Sequence, residues 1–187
     1  MHRENAPPPR DDIMATKKTS MFTLTERITI SAIDTPTFAT IDLGSYVDVG
    51  DRQAIQIHSV DYIFQGATAA TSTLASLANG QTMVQVTDLN RGGLVFANDR
   101  ALISSGVLSV DVDAGISQNT DLYPDNFGKG SDDGRFVVND SLYITALLDQ
   151  TSFTSDVNVT VRVNASIVTL SQKDFMAIAI QSTAADN

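Results

Sequence analysis

The chain has 187 residues, 42% of them hydrophobic and only 18% charged, with no cysteine, no tryptophan and a formal net charge of −10. This composition supports a packed core and excludes disulfide and thiolate chemistry. Residues 1–27 hold five basic and four acidic side chains, whereas the other 160 hold seven basic and eighteen acidic, so the body repels a phosphate backbone and direct nucleic-acid binding is disfavoured.

The acid is almost all aspartate; the only glutamates are Glu4 and Glu26. Helical surfaces draw on Glu, Lys and Arg, whereas a weakly charged surface rich in Thr, Val, Ile and Asn suits β-sheets. Residues 1–20 read as an arm. They are polar, carry Pro7, Pro8 and Pro9, and lack the apolar stretch of a secretory signal. Met14-Ala15-Thr16-Lys17-Lys18 also reads like a natural start, which would make residues 1–13 an upstream extension.

From Phe22 the chain reads as strands. Phe22, Leu24, Ile28 and Ile30 alternate with polar residues, with Glu26 breaking the apolar phase. Phe38–Leu43 is a second short strand, and Gly44 and Gly50-Asp51 mark turns. Arg52–Phe64 is a long strand that changes phase: Ile55 and Ile57 fall on one face, Val60, Tyr62 and Phe64 on the other. A bulge near His58-Ser59 accounts for the switch. Residues 66–80 are a low-complexity Ala/Thr/Ser loop with room for one helical turn at Leu74–Ala78.

Thr82–Leu89 returns to strand character, Asn90-Arg91-Gly92-Gly93 turns, and Leu94–Ala97 is apolar. Ala101–Ile103 and Val107–Val112 read as two short strands separated around Ser105-Gly106. Asp113–Gly134, dense in Asp, Asn, Gly and Pro, reads as one long irregular loop. Phe136–Leu148 is a strand pair or one kinked strand interrupted at Asn139-Asp140. Asp156–Leu170 is the clearest element, with Val157, Val159, Val161, Val163, Ala165 and Ile167 on one face and Asn158, Thr160, Arg162, Asn164 and Ser166 on the other. Ser171-Gln172-Lys173-Asp174 then caps a short helix containing Phe175–Ile180.

About eight strands with turn signals every ~8–12 residues and no βαβ alternation describe an all-β, antiparallel β-sandwich of jelly-roll type, with an N-terminal arm (1–20), a sandwich domain (21–187) and a short C-terminal helix.

Chemistry-bearing residues are sparse. His2 and His58 are the only histidines, so a Ser-His-Asp triad in the body can use only His58, and no nucleophile-elbow motif accompanies it. Zinc lacks the nitrogen and sulfur ligands it needs, and no phosphate-binding or dinucleotide fingerprint occurs. Asp111, Asp113, Asp121, Asp125, Asn126, Asp132 and Asp133 supply hard oxygens that calcium uses, but without the spacing or closing glutamate of an EF-hand; Asp and Asn are equally ordinary turn residues. Calcium is thus a minority alternative to no cofactor. A glycan site finds four tyrosines and no tryptophan to stack on. Three glycan-acceptor triplets start at Asn139, Asn158 and Asn164, within an Asn/Thr-rich strand protein.

An arm, a strand series over Arg52–Leu148 and a long last strand Asp156–Leu170, following Met14–Asp34 as arm and first strand, together resemble the single jelly-roll coat proteins of icosahedral viruses. The resemblance implies a non-catalytic structural subunit of a virion that self-assembles with its own copies into a shell, the arm tying neighbours together. Many such proteins have strongly basic arms that neutralise a genome. This arm is near neutral, which points to an inner membrane or another virion protein beneath the shell. The contact residues expected are Pro7, Pro8, Pro9, Lys17 and Lys18 in the arm, Tyr123 and Phe127 in the long loop, and Phe175, Met176 and Ile180 in the helix. The competing readings are a calcium- or glycan-binding sandwich and an appendage or fibre subunit whose terminal segment completes the next subunit's sheet.

Overall fold

The computed structural model describes residues 15–66, 68, 79–111, 113, 116–123, 134–150 and 156–183. In chain order they form β1 (Ala15–Lys17), β2 (Phe22–Ile30), β3 (Thr37–Asp42), β4 (Gln53–Gln65), β5 (Gly80–Thr87), β6 (Leu102–Asp111), β7 (Ile116–Tyr123), β8 (Arg135–Val137), β9 (Ser141–Gln150), β10 (Val157–Leu170) and α1 (Gln172–Thr183). One sheet runs β2-β10-β4-β8, with β1 paired further along the same edge of β10 as β2; the other runs β3-β9-β5-β6-β7.

Every pairing is antiparallel, and the pairs nest. β2 takes β10, β3 takes β9, β4 takes β8 and β5 takes β6. The outermost strands in sequence pair with each other, and so on inward, as in one long hairpin rolled across two sheets. This is the jelly-roll order. β7 adds a fifth strand to the second sheet.

Strict alternation explains why β10 is central. Val157, Val159, Val161, Val163 and Ala165 are fully buried between the sheets, while Asn158, Thr160, Arg162 and Asn164 face outward. Each buried valine contributes about 1.5–3 kcal/mol relative to exposure. In β4, Ser59 pairs with Asn164 and Ile57 with Ala165, leaving His58 as the extra residue of a bulge. That one residue rotates the strand by half a period. Ile55 and Ile57 therefore join Val60, Tyr62 and Phe64 in one core, although simple alternation separates them.

α1 lies against the outer face of the first sheet at the end where β10 finishes. Phe175 packs there with Ala54, Phe136, Val138, Val168 and Leu170, a second apolar cluster that Ala15 of β1 also joins. The outward side of β10 is polar from Asn158 to Asn164 and apolar at Val168 and Leu170, which is where the helix covers it. The helix start follows the expected capping box. The Ser171 hydroxyl accepts the Asp174 amide (3.2 Å) and donates to the Asp174 carboxylate (2.6 Å). Ser171→Ala is expected to cost about 1 kcal/mol in urea denaturation, with hydrogen exchange accelerated first in the opening turn of α1.

Two expectations are corrected. Residues 113–134 are not one loop: Ile116–Tyr123 is a strand, because pairing with the edge of β6 needs backbone groups and not an apolar face. Leu102–Asp111 is one strand, not two around Ser105-Gly106. The apolar Leu94–Ala97, for which no element was expected, is irregular; the Gln85 side chain donates to the Val95 carbonyl (2.9 Å) and accepts from its amide (2.7 Å), so this segment is held by a side chain. α1 also runs longer than Phe175–Ile180. The turn proposed at Leu74–Ala78 lies outside the described residues.

Candidate functional site

The bulge in β4 aims His58 at Ser166 of β10, with Nε2 and Oγ 2.9 Å apart. Ser166 Oγ in turn donates weakly to Gln56 Oε1 at 3.5 Å. A serine beside a histidine invites a nucleophilic reading, but Ser166 has no exposed surface and Gln56 is 2% exposed, so no substrate carbonyl can reach the hydroxyl. Partial burial, then the nearby positive charge of Lys17, hold the His58 imidazole below its ordinary value. The neutral ring is the form that suits this environment.

A second polar cluster joins the sheets near the end of α1. Asp88, 2% exposed at its side chain, accepts from Arg135 Nη2 at 3.0 Å, and the same Nη2 donates to the Arg100 carbonyl. Asn139 Nδ2 donates to the Asp88 carbonyl (2.7 Å), and Arg91 pairs with Asp99 alongside. Burial raises the Asp88 carboxyl above its ordinary value, opposed chiefly by the charge of Arg135. Asp88 Oδ1 and Arg135 Nε are both buried without a hydrogen-bond partner among the described residues. They are the remaining arms of the same ion pair. Arg100, Gly134, Ile178 and Gln181 join the pair around a cavity of about 170 Å³. Gly134 has φ +134°, and a Cβ there would stand 2.8 Å from the Ile57 carbonyl, so only glycine lets the chain enter β8 at this point.

Among the described residues no three His, Asp or Glu side chains gather as metal ligands. Asp111 accepts the Asp113 amide and Asp113 accepts from Asn79, which is turn chemistry. Asp125, Asn126, Asp132 and Asp133 lie outside the described residues. The asparagines of the three acceptor triplets all serve the fold. Asn158 bridges Thr29 to the Gly66 carbonyl, Asn164 links Thr23 to Ser59 and Asp61, and Asn139 holds Asp88.

Of the expected contact residues, Pro7, Pro8, Pro9 and Phe127 lie outside the described residues. Lys17 ends β1 exposed, and Lys18 reaches Gln53 at 3.2 Å. Tyr123 is the last residue of β7, opposite Ser105. The helix residues divide by face. Phe175 is 5% exposed and is spent on the cluster beneath the helix, whereas Met176 and Ile180 face solvent at 53% and 59%. Among the described residues four further large apolar side chains are exposed: Met21 beside β2, Phe38 on β3, Val49 between β3 and β4, and Phe96 between β5 and β6. Alternation could have marked Phe38, which falls in phase with the exposed Thr40 and Asp42 of β3, opposite Ala39 and Ile41. The other three sit in connections that carry no periodic signal.

No helix among the described residues is long and apolar enough to cross a membrane. No protein-family model matches the chain, and no curated protein matches it in sequence. Solved structures similar to it include VP1 of the Trichodysplasia spinulosa-associated polyomavirus in complex with 3'-sialyllactose, at 9% identity and a TM-score of 0.41, covering 89% of this chain and 100% of that one. Another is from Desmodium yellow mottle tymovirus, at 12% identity and a TM-score of 0.31, covering 91% of this chain and 96% of that one. The jelly-roll assignment stands on the nested strand pairs.

Proposed function

We propose that this chain is a non-catalytic structural subunit that associates with copies of itself into a capsid-like shell. The observation that carries the reading is the scatter of exposed large apolar side chains. Met21, Phe38, Val49 and Phe96 stand between 54% and 88% exposed on a β2 edge, a β3 edge and two separate connections, and not around one pocket. A ligand-binding module needs one recognition surface. A shell subunit needs several, because each copy meets neighbours on more than one side, at about 800 Å² per partner. The acidic body adds an ionic-strength dependence: like-charged subunits associate more readily once salt screens them. No cofactor is required by this reading.

Light scattering and negative-stain microscopy across a salt and calcium series test it. Closed particles, or discrete rings of a few subunits that grow with salt, are the expected result. Phe38→Asp combined with Phe96→Asp should weaken association while leaving the thermal midpoint of the dissociated chain unchanged. A monomer under every condition overturns the proposal. Filaments would move the assignment to a fibre subunit, and thermal stabilisation by calcium that a chelator reverses would move it to a calcium-dependent binding module.

A further inference from the structure

We infer that the outer face of the first sheet, around Arg27 and Arg162, docks on the second sheet of a second copy, around Asp34 and Asp149. The inference rests on the self-association proposed above and names the two surfaces that meet.

The two sheets divide the charge unequally. The strands of the first carry Lys17, Arg27, Arg135 and Arg162 against Glu26 and Asp61. The strands of the second carry Asp42, Asp111, Asp121 and Asp149 and no basic residue. One side of the sandwich is thus suited to meet the other side of a copy.

Arg27 and Arg162 are both exposed on the outer face of the first sheet. Arg27 stands opposite Thr160 and Arg162 opposite Thr25, which makes the two arginines diagonal neighbours on adjacent strands. Glu26 falls in the other phase, with Leu24 and Ile28. Asp61 stands opposite Arg162, but its Oδ2 accepts from Asn164 Nδ2 at 3.2 Å and no ion pair joins it to Arg162. Among the described residues neither guanidinium has a hydrogen-bond or ion-pair partner. Two like charges side by side repel, and an anion between them relieves the repulsion. The face is also stiff: Thr23 donates to Asn164 and Thr29 to Asn158 across the strands, each at 2.7 Å, so docking has little left to order.

The acidic counterpart lies at one end of β9. Leu142, Ile144, Ala146 and Leu148 are fully buried, so Leu147 and the exposed Asp149 face outward. The Asp34 amide donates to the Leu148 carbonyl at 2.8 Å, which sets a second exposed acid beside Asp149. Neither carboxylate has a hydrogen-bond or ion-pair partner among the described residues. Met83, opposite Leu147, and Phe38, opposite Thr145 and 54% exposed, give this face an apolar part. Ile63, opposite Thr160 in the row of Arg27, gives one to the first sheet.

Two carboxylates therefore face two guanidiniums, which bind carboxylates in bidentate pairs. A phosphate backbone fits less well, because the body around the arginines is acidic. The contact joins different faces, so it runs head to tail and closes into a ring where the rotation allows. Repulsion between whole acidic bodies acts at a distance and yields to salt, whereas pairs formed inside the contact are partly buried and screened much less.

Two full-length variants test this by sedimentation and light scattering, at a salt concentration where the native chain associates. The first carries Arg27→Glu with Arg162→Glu. The second carries Asp34→Asn with Asp149→Arg, asparagine being suited to the φ of +52° at position 34. Each variant alone is expected to need about tenfold more protein to associate, because like charges then meet in the contact. The thermal midpoints of the dissociated chains should be unchanged. An equimolar mixture should recover most of the native association, since each altered face then meets a complementary one. Variants that associate like the native chain overturn this inference alone and return the arginines to an anionic partner other than this chain. A mixture as weak as its components overturns it too, because the losses then do not come from one shared contact. A native chain that stays monomeric overturns the self-association reading, and this contact with it.

Discussion

Replacing Gly106 by alanine is expected to destabilise the sandwich by about 1–3 kcal/mol, with valine at the upper end. Gly106 lies mid-strand in β6, on the core side, opposite the fully buried Val84 of β5. The ring of Tyr62 crosses from the other sheet and occupies the space a side chain would need. A Cβ at Gly106 would stand 2.6 Å from Tyr62 Cδ2 and 3.1 Å from Cε2. The ring has little room to retreat, because Tyr62 is 6% exposed and belongs to the same packed cluster as Val60 and Phe64. The modest gain from replacing glycine in a strand does not offset such an overlap. A urea-denaturation cycle separates the causes. In a Tyr62→Leu background, which removes the ring, Gly106→Ala should cost much less than in the native chain. An equal cost in both backgrounds would mean that the ring contact is not what the glycine serves.

That glycine also marks where the sequence stops being legible. Read locally, Ser105-Gly106 divides two short strands. Its role is set by a tyrosine in a different sheet, and nothing within several residues of it carries that information. The features that could be read are those whose cause is local. The alternation of β10 is complete within its own fourteen residues, the phase switch of β4 lies within the strand and predicts the bulge at His58, and Ser171 and Asp174 cap a helix three residues apart. β7 was hidden for the opposite reason. An edge strand is held by backbone hydrogen bonds to β6, so Ile-Ser-Gln-Asn-Thr-Asp-Leu-Tyr needs no apolar face to form it. The candidate surfaces divide in the same way. Periodicity finds the helix but not its orientation, which decides that Phe175 is buried and Met176 exposed; the apolar Val168 and Leu170 on the outward side of β10 were the signal that something had to cover that end of the sheet.

Arg135→Ala is expected to cost about 3–5 kcal/mol at neutral pH, because it leaves Asp88 charged and buried without its partner. The reverse change, Asp88→Asn, should cost less. The Arg135 side chain is 34% exposed and can turn toward water, whereas the Asp88 side chain at 2% cannot. The two losses should also differ in their pH dependence. Burial already holds the Asp88 carboxyl above its ordinary value, with Arg135 the main opposing influence, so removing Arg135 raises it further. A carboxyl raised in the folded state binds more protons folded than unfolded between its two values. Its contribution to stability is therefore fully present below the unfolded value and is lost as the pH rises through the folded one. The deficit of Arg135→Ala relative to the native chain should accordingly shrink as the pH falls from neutral through the raised folded value of Asp88, where the carboxyl takes up a proton and the buried charge disappears. Urea midpoints of both proteins measured across that range decide the matter. A deficit that does not change with pH would mean that the loss comes from the Arg135 contact to the Arg100 carbonyl and from side-chain packing, not from the stranded carboxylate. If the carboxylate is the cause, Asp88→Leu with Arg135→Met should recover most of the loss at neutral pH, since an apolar pair of similar volume removes both desolvation penalties at once.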